Sequence, residues 1–357
     1  MRRWALLALL VAALVALPGA QAKRPQAPSA RTNIIAASGS SSIAGALAWL
    51  AANPQPNGSY VPTGTYMYSN VLDIPPGADI QFQSVTLLPQ VIQTESLRVR
   101  GNETRLDFTG NSRIGYEGRV CGFNGQPSCP RYGNAEATGL EFEGATNAYV
   151  HADNLTIEGM GSVGVFLYRR SSFVEFHGTI TVTGSGEDSY HVTDASHDIL
   201  FGAHLNSYSS GDASFAVVSY VGNPGPCYNV YWADVWAANQ RWGAGIQVGG
   251  GHDITFHSYY LQDTWTSGIY ISSEALNPDG YDLMSIDHVR FDSGKIVRPS
   301  RGGIHNTNVE IYNSHPTGYV INDVVINLPW PDPSFPLWRN DSRGPVTNTY
   351  VNGQLVS

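Results

Sequence analysis

Three carboxylates sit at the mouths of two similar segments: Glu187 and Asp188 in GEDSYHV, and Asp212 in GDASFAVVSY. Each segment opens on a glycine and leads into a short apolar run, so stacking one segment on the next, ~4.8 Å apart, would bring the acids together. Carboxylates ~5 to 9 Å apart are what glycosidic cleavage requires, one as proton donor and the other as nucleophile or water activator. Crowding of negative charge raises the pKa of one member and keeps it protonated as the acid. The plainer reading is that all three are turn residues, since Asp after Gly is common at β turns. Three acids on two consecutive segments, with His191 beside them, favour chemistry.

Other residues fall on the same face when the segments are aligned. Gln247, Tyr270 and His305 follow His191 in one outward column, and Arg301 ends the column that contains Glu187 and Asp212. Glu274, closing the run GIYISSE, is either a third catalytic acid or part of a groove wall. Trp242, Trp265, Tyr220 and Tyr270 offer rings that can stack on sugars or pack loops. His177 and His257 share a column away from the acids, and neither a metal nor a cofactor is expected.

The elements that must carry these residues recur. Val165, Tyr190, Phe215, Ile246, Ile269 and Ile304 align as inward positions at intervals of 25, 25, 31, 23 and 35 residues. A second column, Val174, Ile199, Val230, Ile254 and Val289, lies two residues before Phe176, Phe201, Trp232, Phe256 and Phe291. Recurrent short strands with inward alternation define an all-β solenoid, a single-stranded right-handed parallel β-helix. Asn154, Asp198, Asn229 and Asp253 precede the second strands as an expected structural turn ladder. Ser42 to Ala52 reads as an amphipathic helix stopped by Asn53-Pro54, placed to cap the open end of the solenoid.

Composition agrees: 357 residues, 14% charged, with 38 Gly and 11% aromatic residues. Residues 1–22 read as a signal peptide, with Arg2 and Arg3 ahead of an apolar run and Ala20-Gln21-Ala22 as the cleavage site. Residues 23–41 read as a linker and 42–357 as one β-helix domain, its Pro/Trp-rich end covering the last rungs. Export to the extracellular space or periplasm follows, with no membrane insertion of the mature chain. Loss of the two arginines deepens the net charge from −9 to −11, which argues against nucleic acid as partner. Cys121 and Cys129 lie close together in a Gly/Pro-rich insertion, and an exported protein is expected to join them in a disulfide, leaving Cys227 free.

The stretch from Asn57 to Pro89, with its Pro-Thr-Gly-Thr-Tyr and Pro-Pro-Gly turns after the helix, resembles the opening of the pectate-lyase-like family of secreted right-handed β-helices. The acid-bearing segments resemble the polygalacturonase branch of β-helix glycoside hydrolases, which carries NTD, GDD, GHG and RIK motifs on successive rungs. The resemblance implies that Asp188 is the water-activating aspartate and Asp212 the general acid. Ala213, Ala244, Tyr270 and Ser272 replace the second GDD aspartate, the GHG histidine and the RIK arginine and lysine. Loss of those cationic clamps argues against a polygalacturonate substrate. The reading is a secreted polysaccharide-cleaving glycoside hydrolase. The alternatives are a lyase or epimerase, with Arg298 or Arg301 as neutraliser, and a non-catalytic carbohydrate-binding or adhesion β-helix.

Overall fold

The computed structural model describes residues 30–90, 96–115, 138–275 and 282–356. The residues read as signal peptide and cleavage site, and Cys121 and Cys129, expected to form a disulfide, lie outside them. The chain coils as a right-handed parallel β-helix built on two parallel sheets, one of short strands and one of long strands. The short strands that matter for the site are Leu140–Glu143, Val165–Tyr168, Tyr190–Thr193, Phe215–Val218, Ile246–Gly249, Ile269–Ser273 and Val309–Asn313. Between them run long strands, among them Ser172–Thr183, His197–Tyr208, Tyr228–Ala238, Gly251–Gln262 and Ile286–Val297.

Register follows the apolar columns. Val165, Tyr190, Phe215, Ile246 and Ile269 pair in sequence and are fully buried. On the long strands Phe176, Phe201, Trp232, Phe256 and Phe291 stack with centroids 4.7, 3.9, 5.3 and 5.1 Å apart. Near-parallel stacking adds to the burial of each ring, and the continuous column pins the register of these coils. Tyr190 enters the same core because its hydroxyl donates to the Ile180 carbonyl at 2.8 Å.

Three expectations need correction. Ile304 is not the next inward residue: Ile269 pairs with Val309, and Ile304 is 42% exposed on a turn. His305 and Arg301 therefore leave their assigned columns, and Glu310 stands opposite Tyr270. Asn154 is not in the turn ladder either but lies at an irregularity inside its strand, bonded to Asn111 at 3.0 Å. The ladder is Asn147, Phe173, Asp198, Asn229, Asp253, His288 and Asp323, all left-handed with φ between 48° and 54°. Asn and Asp tolerate that region, which is why they dominate the column.

The polar return after each second strand is itself a strand. Each long strand bends midway, and Ile180 and Val182, Leu205 and Ser207, Val235 and Ala237, Tyr259 and Leu261 point into the core. Each coil thus has a third flat side that delivers the chain to the acid-bearing turn.

At the amino end, Ser42 caps helix Ile43–Ala52 by accepting from Gly45 N, and Ile43, Ala46, Leu47 and Leu50 are buried against the first coils. Within the stretch read as linker, Thr32–Asn33 pairs with Ser59–Tyr60 and a second helix, Ile34–Ser38, buries Ile34. The far end closes with an antiparallel pair, Tyr350–Val351 against Gln354–Leu355. Cys227 is free and buried, and burial pushes its thiol up to about 12. No helix among the described residues is long and apolar enough to cross a membrane.

Candidate active site

The acids are held by turns that the sequence builds twice. Ser185 Oγ donates to the Glu187 carbonyl at 3.0 Å, and Ser210 Oγ to the Asp212 carbonyl at 2.8 Å. Both turns need glycine in front of the acid because successive backbones nearly touch. A Cβ on Gly186 would lie 2.0 Å from the Gly161 oxygen, and one on Gly211 1.9 Å from the Gly186 oxygen. The half-buried guanidinium of Arg241 donates to the Ser209 carbonyl at 2.9 Å and the Ser185 carbonyl at 2.5 Å, tying the two turns together. That burial lowers the Arg241 pKa.

Glu187 and Asp212 are half-buried and lie on adjacent coils, where the Asp212 amide donates to the Glu187 carbonyl at 3.2 Å. Ser162 Oγ donates to Glu187 Oε2 at 2.7 Å. Asp188 is only 7% exposed. Its Oδ2 accepts from His191 Nδ1 at 2.5 Å, whereas Asp188 Oδ1 and His191 Nε2 are buried without a partner. A buried carboxylate oxygen without a hydrogen bond is costly, so the bond from His191 is what holds the Asp188 side chain in place. His191 is held edge-on against Phe166, centroids 5.4 Å apart.

Gly243 stands in the Asp212 column on the next coil. A Cβ there would lie 2.2 Å from Asp212 Oδ1 and 2.6 Å from the Ala213 nitrogen, so the missing side chain is what lets the carboxylate lie flat. Gly243→Ala is expected to displace Asp212 and lower turnover at least about tenfold, as even ~1 Å of misplacement is costly. Turnover within twofold of the parent, in a chain with an unchanged circular dichroism spectrum, would refute this role.

Beside the acids, Trp242 is 44% exposed and stacks on Trp265, centroids 6.4 Å apart at 20°. The Arg301 guanidinium lies 6.0 Å from the Trp265 ring and donates to the Gln240 carbonyl at 3.0 Å. Arg301 thus reaches the site from a turn instead of the strand. Gln247 sits in register between Ala216 and Tyr270 on the short-strand sheet. Leu283 and Tyr220 pack on Ala213, Ala216 and Val218 and wall this side.

Glu274 belongs to a different grouping. Eight residues of mostly extended chain separate it from Thr266, the Asp212 column position on its coil, a distance on the order of 20 Å. It accepts from Tyr270 OH at 2.8 Å, and burial together with Glu274 raises the Tyr270 pKa well above its usual value. Nearby, Glu310 is 1% exposed and bonds His305 Nδ1 at 2.6 Å; this contact raises the His305 pKa. A raised folded-state pKa means this tie stabilises the turn fully below the unfolded pKa of His305 and is lost as pH rises through the folded one. A ring titration by NMR should show His305 titrating above a free histidine, and Glu310→Gln should remove the shift. An unshifted His305 would contradict the contact.

Upstream, the same face is neutralised. Glu141 accepts from Ser96 and Tyr168 at 2.5 Å each, and Glu143 pairs with Arg98 at 3.4 Å and with Arg100 and Arg169. His177 and His257 pair with Glu175 at 3.1 Å and Asp292 at 2.9 Å. Among the described residues, Asp287, His288 and Asp323 are the grouping with metal-ligand spacing, but Arg290 holds both oxygens of Asp323 at 2.9 and 2.8 Å.

Coils and turns together define a right-handed parallel β-helix. No family model and no curated protein sequence matches the chain. Among solved structures it is similar to the catalytic domain of a GH87 α-1,3-glucanase in complex with tetrasaccharides. That likeness has 18% identity and a TM-score of 0.60, covering 93% of this chain and 70% of that one. The same domain in complex with nigerose matches at 17% and 0.58, over the same shares. A family 28 exopolygalacturonase of Yersinia enterocolitica matches at 13% and 0.51, covering 92% of this chain and 79% of that one.

Proposed function

We propose that the protein is a polysaccharide-cleaving glycoside hydrolase acting by direct attack of water. The observation that carries this reading is the placement of Asp212 on one coil and of Glu187 and Asp188 on the preceding coil, with Asp188 buried and bonded to His191. Asp212 gives its proton to the glycosidic oxygen as the C1–O bond breaks. Asp188 takes the proton of the water that attacks C1 from the opposite face. Trp242 and Trp265 supply ring faces for flanking sugars, and Gln247 and Tyr270 lie on the short-strand sheet.

Similarity in fold to glycoside hydrolases that bind or act on α-1,3-glucan and polygalacturonan supports the reaction class. The absence of cationic clamps at Tyr270 and Ser272 favours a neutral polymer over a uronate one. A lyase would need a cation to neutralise a uronate carboxylate. Arg298 is bound at 2.7 Å by both oxygens of Asp263, and Arg301 is engaged with Trp265 and Gln240. Incubation with α-1,3-glucan, other neutral glucans and polygalacturonate tests the reading. New reducing ends without ultraviolet absorbance are expected; unsaturated ends would mean a lyase, and no products on any polymer a binding protein.

A further inference from the structure

On the long-strand sheet, away from the groove, one outward column runs Asn206, Trp236, Tyr260, Lys295 and Trp330 over successive coils. Trp236 and Tyr260 stack at 5.8 Å and 3°, Tyr208 leans on Trp236 at 4.5 Å, and Lys295 Nζ lies 5.7 Å from the Tyr260 ring. The row ends on Trp330, 60% exposed, its backbone fixed by the bond from Ile296 N to the Trp330 carbonyl at 3.1 Å. Beside it opens a cavity of about 330 Å³ lined by Ser258, Tyr259, Ser293, Gly294, Lys295 and Trp330. Lys295 is the only lysine among the described residues of a chain with net charge −9, and no carboxylate among those residues is bonded to it.

We propose that this strip is a second carbohydrate-binding site, taking a neutral segment of a polysaccharide outside the groove. Exposed tryptophan offers an apolar ring face to a sugar, while Lys295 Nζ and the Ser258 and Ser293 hydroxyls offer donors to its hydroxyl groups. A cavity of this volume beside an exposed indole suits a sugar ring. The site rests on the polysaccharide reading of the groove only for its choice of ligand.

The test is co-sedimentation of the full chain carrying Asp212→Asn with insoluble α-1,3-glucan, cellulose, chitin and calcium pectate. At least one neutral polymer should retain the protein. Trp330→Ala or Lys295→Met should weaken retention by up to about tenfold, the scale of one ring contact. In the chain with Asp212 intact, the same changes should leave turnover of a soluble tetrasaccharide unaltered. Retention equal to the parent in both variants, or retention by none of the polymers, overturns the site; retention by pectate alone overturns its neutral ligand. Retention that depends on Trp330 without any hydrolysis keeps the strip and removes the groove reading, and hydrolysis without such dependence does the reverse.

Discussion

Asp212→Asn should cut turnover about 10²- to 10⁴-fold while leaving the fold intact, because general acid–base groups typically supply that much rate. Asparagine keeps the size and the hydrogen-bonding edge of the carboxyl but has no proton to give the leaving oxygen. The turn should survive, since it is set by Gly211, by Ser210 Oγ on the Asp212 carbonyl and by Arg241, none of which needs the acid. Initial rates on the polymer that yields reducing ends, with circular dichroism as the folding control, give the measurement. Near-parental turnover by Asp212→Asn would remove it as proton donor and leave Glu187 and Asp188 to be tested.

The acids were legible in the sequence because they stand at Gly-acid turns before apolar strands with a period of two, and a periodic pattern projects onto a column. The same reasoning misplaced Ile304, since Gly303-Ile304-His305 imitates Gly268-Ile269-Tyr270. The true strand, Val309–Asn313, begins five residues later, after a tight turn at Ser300–Gly303. The third side of each coil escaped notice because its inward residues are mixed, with Ser207, Ala237 and Gly294 beside Leu205, Val235 and Tyr259. Gly243 and Arg241 were invisible for a different reason. One acts by lacking a side chain beneath a carboxylate on another coil, and the other by reaching backbone carbonyls of residues far away in sequence. Glu274 was grouped with the acids from its strand, but position along the strand, not only across strands, decides what it meets.

The partner of Asp212 should be Asp188, and the stereochemistry of the product distinguishes it from Glu187. Glu187 lies directly across from Asp212, ~4.8 Å away along the coil axis, which suits the ~5 to 5.5 Å spacing of a retaining pair. Asp188 is one residue, ~3.3 Å, further along the chain, and its carboxyl turns toward His191, which moves it toward the ~6.5 to 9.5 Å spacing that admits a water. Proton NMR of the first products should therefore show inversion at the anomeric carbon. Asp188→Asn should lower turnover about 10²- to 10⁴-fold, and Glu187→Gln far less, because the glutamate is braced by Ser162 and needs only to shape the turn. His191→Gln should fall between them, since Asp188 would lose the donor that fixes its orientation yet keep its charge. Retention of configuration, together with a greater loss from Glu187→Gln than from Asp188→Asn, would assign the second carboxylate to Glu187.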